Sequence, residues 1–342
     1  MKLFRSIIWI NLTCLLAGTL AGCGSSGEQK KEVVTDTVQA KPLNVPVFNP
    51  DSAYSYVGAQ VALGPRTPGS AAQVECALWM ESKLKEFCDT VYKQSTHVTG
   101  GDGKSLPCIN LIGVIHPGAA KRILFLTHWD SRPWADQDTK DINKPIIAAD
   151  DGGSGVGVLL EVAREIKAKG GLPQSLGIDI LFTDVEDYGR SEWGEDSYCL
   201  GTQYWAHHPH VSGYKADFGV LLDMVGARGA QFPMEGFSTQ YAGDIQQKVW
   251  QAATDAGYSS YFPYVAGADI TDDHLPVNKI TGIKTIDIIN LTPDLDKPFA
   301  AHWHTHADVM DIIDKNTLKA VGQTLLQTIY EEQPASKNLS AL

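Results

Sequence analysis

The sequence predicts an α/β protein with a single domain, a three-layer sandwich in which helices flank a central, mixed but mostly parallel β-sheet. Short, continuously apolar runs of strand length alternate with amphipathic helical segments from about residue 50 to residue 332. Continuous apolar runs are typical of strands that are buried on both faces of a sheet. Neither an internal repeat nor a second domain boundary interrupts the alternation, which favours one sandwich over two smaller domains.

The composition supports a full hydrophobic core and excludes one class of partner. The chain of 342 residues is 43% hydrophobic, and its 28 Lys and Arg against 40 Asp and Glu give a formal net charge of −12. No basic block interrupts this acidity, so we expect no nucleic-acid partner. The six cysteines include no C-x-x-C pair of the kind found in zinc ribbons and redox motifs.

Residues 1–22 have the pattern of a signal peptide. Lys2 and Arg5 precede an apolar stretch over residues 7–20 that is short for a bilayer span. The stretch ends in Leu-Ala-Gly-Cys at residues 20–23, which resembles the lipobox of bacterial lipoproteins, where the cysteine carries lipid after cleavage. We therefore predict a lipid anchor at Cys23 on the periplasmic side of a bacterial membrane. An ordinary secretory signal, with Cys23 incidental, is the alternative.

Residues 23–46 are predicted to be a flexible tether, and residues 47–335 the folded domain. The tether segment is polar, without apolar periodicity, and contains Pro42 and Pro46 near its end. Four cysteines remain in the domain. Cys76 and Cys88 are expected to share one helix and so cannot bridge each other, whereas pairing of either with Cys108 or Cys199 stays open.

The secondary structure follows from the periodicity of apolar residues along the domain. Helical spacing or short apolar runs predict, in chain order, a helix at 71–88, strands at 109–115 and 123–127, a helix at 156–168, strands at 178–183 and 218–222, a helix at 245–256, a strand at 284–289 and a helix at 318–330.

Polar side chains follow three of these strands at the point where each ends. They are His128, the acidic run at residues 184–187, and Asp223. Ligands of open α/β sheets bind outside the carboxyl ends of the strands, and residues 150–151 and 302–306 could join the same edge. Imidazole and carboxylate groups without thiolates are the ligands of catalytic zinc sites. Any one cluster could be a solvated loop, but their convergence on one edge favours a site.

Several motifs follow one another along the domain: Gly-Pro-Arg-Thr-Pro-Gly-Ser at 64–70, His-Trp-Asp-Ser-Arg at 128–132, Asp-Asp at 150–151, Leu-Glu-Val-Ala-Arg at 160–164, Asp-Val-Glu-Asp at 184–187, Leu-Leu-Asp at 221–223, Asp-Asp-His at 272–274 and Trp-His-Thr at 303–305. Together they resemble the glutaminyl cyclases (glutaminyl-peptide cyclotransferases) of the zinc-aminopeptidase-like superfamily. Some are shared with zinc aminopeptidases, but residues 272–274 and 303–305 favour the cyclase branch. An aminopeptidase with two metal ions is the alternative, and a lipid-anchored binding protein without catalysis is disfavoured by the complete set of site residues.

The resemblance implies a single Zn²⁺ per chain, held by Asp151, Asp187 and His304. Cyclases from animals have a glutamate where this chain has Asp187, so the carboxylate ligand here is shorter. His128 corresponds to a metal ligand of the dinuclear aminopeptidases and is expected to be a non-ligating neighbour in this protein.

The resemblance also implies the reaction and the remaining site residues. Peptides and proteins with N-terminal glutamine would be converted to pyroglutamate with release of ammonia, and Glu186 would shuttle the proton. Asp223 and Asp272 would form hydrogen bonds with the reacting groups. The hydrophobic walls of the pocket would be Trp193, Ile270, Phe299 and Trp303.

Overall fold

The computed structural model describes residues 43–333, so the predicted signal peptide, Cys23 and most of the predicted tether lie outside the described part. Its centre is a six-stranded sheet in the order β1-β2-β4-β3-β5-β6. The β1–β2 and β2–β4 pairs are antiparallel, whereas β4–β3, β3–β5 and β5–β6 are parallel. The predicted mixed, mostly parallel sheet is confirmed. The strands are β1 (Thr90–Thr99), β2 (Ser105–Ile115), β3 (Lys121–His128), β4 (Leu176–Thr183), β5 (Phe218–Asp223) and β6 (Thr285–Ile289).

Helices cover both faces of the sheet. Strand β3 shows the division: Phe125 packs into the core beneath α1, α2, α3, α5 and α7, whereas Leu124 and Leu126 face α4 and the π-turn Val277–Thr281. The predicted three-layer sandwich is therefore confirmed. Among the described helices, none is both long enough and apolar enough to cross a bilayer. They are α1 (Pro50–Val61), α2 (Ala71–Phe87), α3 (Gly153–Ala168), α4 (Leu200–His207), α5 (Gly236–Asp255), α6 (His274–Pro276) and α7 (Lys315–Glu331).

Strand β1 and helix α1 were not predicted from the apolar pattern. Strand β1 lies at the edge of the sheet, pairs only with β2, and has alternating half-buried and exposed residues, so it lacks the apolar run of a central strand. Helix α1 does carry a start signal. The Asn49 side chain accepts hydrogen bonds from the N–H groups of Asp51 and Ser52, and Pro50 occupies the first turn, a combination typical of helix N-termini.

The first and last parts of the domain are joined by direct contact. Phe48 is buried against Gly322 of α7, where a Cβ atom would lie 2.1 Å from the Phe48 ring. The neighbouring Gln323 amide accepts a hydrogen bond from Phe48 N and donates one to Pro46 O, each at 2.9 Å. Pro46, the last residue of the predicted tether, is thus already packed on the domain.

The four cysteines of the described domain are free thiols. Cys76 lies within α2, Cys88 follows the last turn of that helix, and Cys108 and Cys199 are also buried. The disulfide pairings that the sequence left open are therefore not formed among these four residues.

Candidate active site

The carboxyl ends of β4, β3 and β5 are adjacent in the sheet and carry the polar residues singled out in the sequence. His128 ends β3, residues 184–187 follow β4, and Asp223 ends β5. Two loops reach the same edge, one before α3 with Asp151 and one before α7 with His304. The expected convergence on one edge of the sheet is present.

Asp151, Asp187 and His304 form a buried group of metal-ligand type. Their candidate ligand atoms all lie within 4.8 Å of one another, with His304 Nε2 3.3 Å from Asp187 Oδ1 and 3.7 Å from Asp151 Oδ2. Within residues 43–333, Asp151 Oδ2 and Asp187 Oδ2 are buried without a hydrogen-bond partner. Such unsatisfied oxygens are costly, and one imidazole with two carboxylates suits zinc. The donor set therefore fits a zinc ion.

Two further carboxylates fix the loops that carry these candidate ligands. Asp308 accepts hydrogen bonds from the backbone N–H groups of Asp150 and Asp151, at 2.7 and 3.0 Å. Asp130 does the same for the N–H groups of Glu186 and Asp187, at 3.1 and 3.2 Å. Burial, reinforced by the Asp150 and Asp151 carboxylates, raises the pKa of Asp308 to about 7. Each loop is therefore positioned through its backbone, which leaves the ligand side chains free to face one another.

Backbone strain is concentrated at the same edge. Ala148, Val185, Met224 and His304 have φ values of 56°, 55°, 48° and 56°. Residues other than glycine rarely adopt this left-handed region, and such strain clusters at functional sites because the surrounding structure must hold it in place. Val185 separates Asp184 from Glu186, and His304 is itself a candidate ligand.

His128 lies among three carboxylates at the centre of the site. Its Nε2 is 3.0 Å from Asp151 Oδ1 and 3.3 Å from Asp223 Oδ1, and its Nδ1 is 3.4 Å from Asp130 Oδ1. Burial opposes protonation, but these carboxylate contacts outweigh it and hold the pKa of His128 well above its ordinary value. His128, Asp151 and Asp223 form a second group whose candidate ligand atoms lie within 4.8 Å of one another.

Glu186 is a buried carboxyl group beside Asp187, with 8% of its surface exposed. The Cys199 thiol donates to Glu186 Oε1 at 3.4 Å, and atoms of Glu186, Cys199 and Asp272 lie within 4.8 Å of one another. Burial raises the pKa of Glu186 well above its ordinary value; nearby His128 opposes this shift, and the Asp187 and Asp272 carboxylates add to it. Such a carboxyl group suits proton transfer.

The remaining acids of the site are also buried. Asp272 Oδ1 accepts a hydrogen bond from Asp273 N at 2.5 Å, whereas Asp272 Oδ2 has no partner among the residues that the structure describes. Burial raises the pKa of Asp223 to about 6 although His128 opposes the shift. Both side chains point into the same pocket as Glu186.

The pocket has an acidic floor and an aromatic wall. Phe299 and Trp303 are stacked with ring centroids 4.0 Å apart, and Trp303 in turn stacks on the His304 imidazole at 3.8 Å. Ile270 lines the same pocket. The structure thus brings together nine of the residues predicted for the site: Asp151, Glu186, Asp187, Asp223, Ile270, Asp272, Phe299, Trp303 and His304.

Comparison with known proteins shows the family of this chain. The sequence profile of peptidase family M28 matches residues 110–329. The chain belongs to peptidase family M28.

The M28 chain is similar to solved bacterial structures over most of its length. It shares 49% identity with glutaminyl cyclase from Bacteroides thetaiotaomicron bound to N-acetylhistamine, covering 85% of this chain and 100% of that one with a TM-score of 0.82. It also shares 49% identity with a Zn-dependent exopeptidase from Parabacteroides distasonis, covering 84% and 100% with a TM-score of 0.81. These similarities confirm the resemblance and the fold that the motifs predicted.

A curated relative is more distant. The M28 chain is 26% identical over 249 residues to glutaminyl-peptide cyclotransferase from the snake Boiga dendrophila, and the alignment covers 65% of each protein. The chain thus spans about two thirds of the length of that relative.

One predicted wall residue of the M28 site lies elsewhere. Trp193 packs on Tyr188 and Trp134, with ring centroids 6.1 and 5.8 Å apart, and does not line the pocket. Two short 3₁₀ turns, Ser191–Trp193 and Glu195–Ser197, flank Gly194 at φ 89°, and Trp193 lies at the end of the first turn.

Tyr198, which was not predicted from the sequence, lines the pocket, whereas Trp193 does not. Its ring lies directly over Gly189, where a Cβ atom would come within 2.3 Å. The signal in the sequence was an aromatic residue shortly after Trp193, but the path of the intervening loop decides which of the two faces the site.

Proposed function

We propose that this M28 protein is a zinc-dependent glutaminyl-peptide cyclotransferase that converts N-terminal glutamine of peptides and proteins to pyroglutamate with release of ammonia. The observation that carries the proposal is the placement of buried Glu186 beside the ligand group Asp151, Asp187 and His304, inside one small aromatic-walled pocket. Similarity to the Bacteroides thetaiotaomicron glutaminyl cyclase, at 49% identity, supports it.

The reaction requires one proton to move twice. The substrate's α-amine attacks its own side-chain carbonyl carbon, a C–N bond forms in the ring, and the bond to the side-chain nitrogen breaks. Glu186 would accept the proton that the amine loses and donate it to the departing nitrogen, which leaves as ammonia. When bound by Asp151, Asp187 and His304, zinc supplies Lewis-acid polarisation of the side-chain carbonyl.

The other pocket residues would orient the substrate and exclude water. The stacked pair Phe299 and Trp303, together with Ile270, encloses a space for one short side chain folded back on its own amine. Holding amine and carbonyl together makes the attack intramolecular, with a large effective concentration. Asp272 Oδ2, buried without a partner in the described chain, is available to accept a hydrogen bond from the substrate amine or from protonated Glu186.

Aminopeptidase activity is the second candidate, because a specific group of residues favours it. His128, Asp151 and Asp223 could hold a second metal ion, and a similar structure is called a Zn-dependent exopeptidase. A peptidase of this kind must place a backbone carbonyl and an activated water at the metal centre, usually between two ions. The small aromatic pocket favours cyclisation instead.

A peptide with N-terminal glutamine is expected to lose one ammonia and to keep all its residues when incubated with the protein. Mass spectrometry distinguishes this product from the peptide shortened by one residue that hydrolysis would give. Peptides that begin with leucine or alanine are the controls, and metal analysis should find one zinc per chain. A dominant shortened product, or equal trimming of the control peptides, would replace the cyclase proposal by the peptidase one.

We also propose that the mature protein is anchored by lipid at Cys23 on the periplasmic side of a bacterial membrane. The support is the sequence of residues 20–23 and the polar segment that follows it. Replacing Cys23 by serine should move the protein from the membrane fraction to the soluble fraction or block its processing. Cys14→Ser, which changes a cysteine inside the predicted leader, should have no such effect. Wild-type protein found soluble in the periplasm would refute the anchor.

A further inference from the structure

Arg132 is a buried cation that contacts one of the three candidate zinc ligands directly. It is 1% exposed. Its Nη1 donates to Asp187 Oδ1 at 2.7 Å and to the Asp187 backbone carbonyl at 3.0 Å. Asp187 Oδ2 is left buried and without a partner within the described domain. Arg132 therefore fixes one oxygen and the backbone of this ligand and leaves the other oxygen for the metal.

The opposite edge of the same guanidinium binds Asp136. Arg132 Nε and Nη2 donate to the two carboxylate oxygens of Asp136 at 2.8 and 2.7 Å. A planar guanidinium is suited to such a two-point contact, and an ammonium group cannot reproduce it. The orientation of the Asp136 carboxylate is thereby fixed.

Asp136 in turn faces the imidazole ligand. Its Oδ1 lies 3.5 Å from His304 Nδ1, on the side of the ring away from Asp151 and Asp187, which face Nε2. A carboxylate beside the outer nitrogen of a ligating histidine favours the tautomer that carries hydrogen there, so that the other nitrogen is free for the metal. Asp136 is the carboxylate nearest to that place for His304, whose Nδ1 has no hydrogen-bond partner among the described residues.

We propose that Arg132 and Asp136 act as one clamp that positions two of the three zinc ligands, Asp187 directly and His304 through Asp136. The inference rests on the proposed zinc site. Both residues are positioning residues, since neither is a candidate ligand.

An ion pair that served only the fold would behave differently from this clamp. Its loss would lower the stability of the metal-free protein and leave the intrinsic affinity for zinc unchanged. The clamp predicts a change in zinc affinity itself, and it predicts that the effects of the two residues depend on each other.

The test measures zinc affinity of the purified full chain by competition with a chelating dye. Asp136→Asn keeps the shape of the side chain and should raise the zinc Kd by about tenfold to a hundredfold, the usual effect of losing an outer partner of a metal ligand. Arg132→Lys should act in the same direction. The zinc Kd of the double variant should rise by less than the product of the two single increases. Asp141→Asn removes an exposed carboxylate of the same loop and should bind zinc like the parent.

A second measurement uses the metal-free protein, so that it does not depend on zinc loading. Nitrogen NMR of the His304 ring, recorded at a pH high enough for the imidazole to be neutral, should show hydrogen on Nδ1 in the parent and a mixture of tautomers in Asp136→Asn. The clamp is refuted if both variants bind zinc as tightly as Asp141→Asn, or if their effects simply multiply, or if the tautomer is unchanged. A parent chain that binds no zinc would refute the proposed function together with the clamp.

Discussion

Replacing Glu186 by glutamine is expected to lower kcat by about a hundredfold to ten-thousandfold, the range that a positioned proton-transfer group contributes. Glutamine has nearly the same shape and can still accept the hydrogen bond from Cys199 through its carbonyl oxygen. It cannot take a proton from the substrate amine and return it to the departing nitrogen. Steady-state release of ammonia from a glutaminyl peptide measures the loss.

The Glu186→Gln experiment needs a matched control variant and a measurement of zinc content. Glu192→Gln changes an exposed glutamate of the same loop, with 65% of its side chain exposed, and should leave kcat unaltered. Zinc content of Glu186→Gln should equal that of the parent, because Glu186 is not one of the three ligands. Turnover at the parental rate by Glu186→Gln would remove this residue from the mechanism.

Replacing His304 by asparagine is expected to abolish both zinc binding and activity. Asparagine accepts the left-handed backbone at φ 56° better than most residues, so the loop can keep its path. Its amide oxygen is a poorer zinc ligand than imidazole. We expect the zinc affinity to fall by more than the roughly tenfold to hundredfold that outer partners supply, as measured by chelator competition.

His306→Asn is the control for this experiment, because His306 lies in the same loop and its ring has a polar contact with the Asp141 carbonyl at 3.4 Å. It should retain zinc and activity. If His304→Asn kept one zinc per chain with parental affinity, the ligand group would have to be assigned to other residues, of which His128, Asp151 and Asp223 are the nearest alternative set.

The sequence predicted those parts of the fold whose signal is local. Buried strands such as β4 are continuous apolar runs, and the polar residues at the ends of β3, β4 and β5 meet because parallel strands end at one edge. Strand β1 was not predicted, because an edge strand does not need a continuous apolar run. Its existence depends on pairing with β2, a contact that periodicity does not report.

The parts of the site that were missed depend on loop paths and on distant contacts. Trp193 and Tyr198 are five positions apart on a loop with two turns around Gly194, and of the two it is Tyr198 that lines the pocket. Arg132 belongs to a motif that the sequence analysis noted. Its role becomes visible only when the fold brings Asp187, 55 positions away, against one edge of the guanidinium and Asp136 against the other.

The contact between Phe48 and Gly322 has a consequence for biosynthesis. The first aromatic residue of the domain is buried by a helix made much later, since Phe48 and Gln323 of α7 are 275 positions apart. During vectorial synthesis or export, Phe48 therefore cannot reach its buried position until α7 has emerged. A chain that stops before α7 leaves Phe48 and the apolar face of that helix's neighbours uncovered, which is the condition under which quality-control proteases and aggregation compete with folding. Synthesis of α7 is thus a checkpoint for burial of the amino-terminal end of the domain.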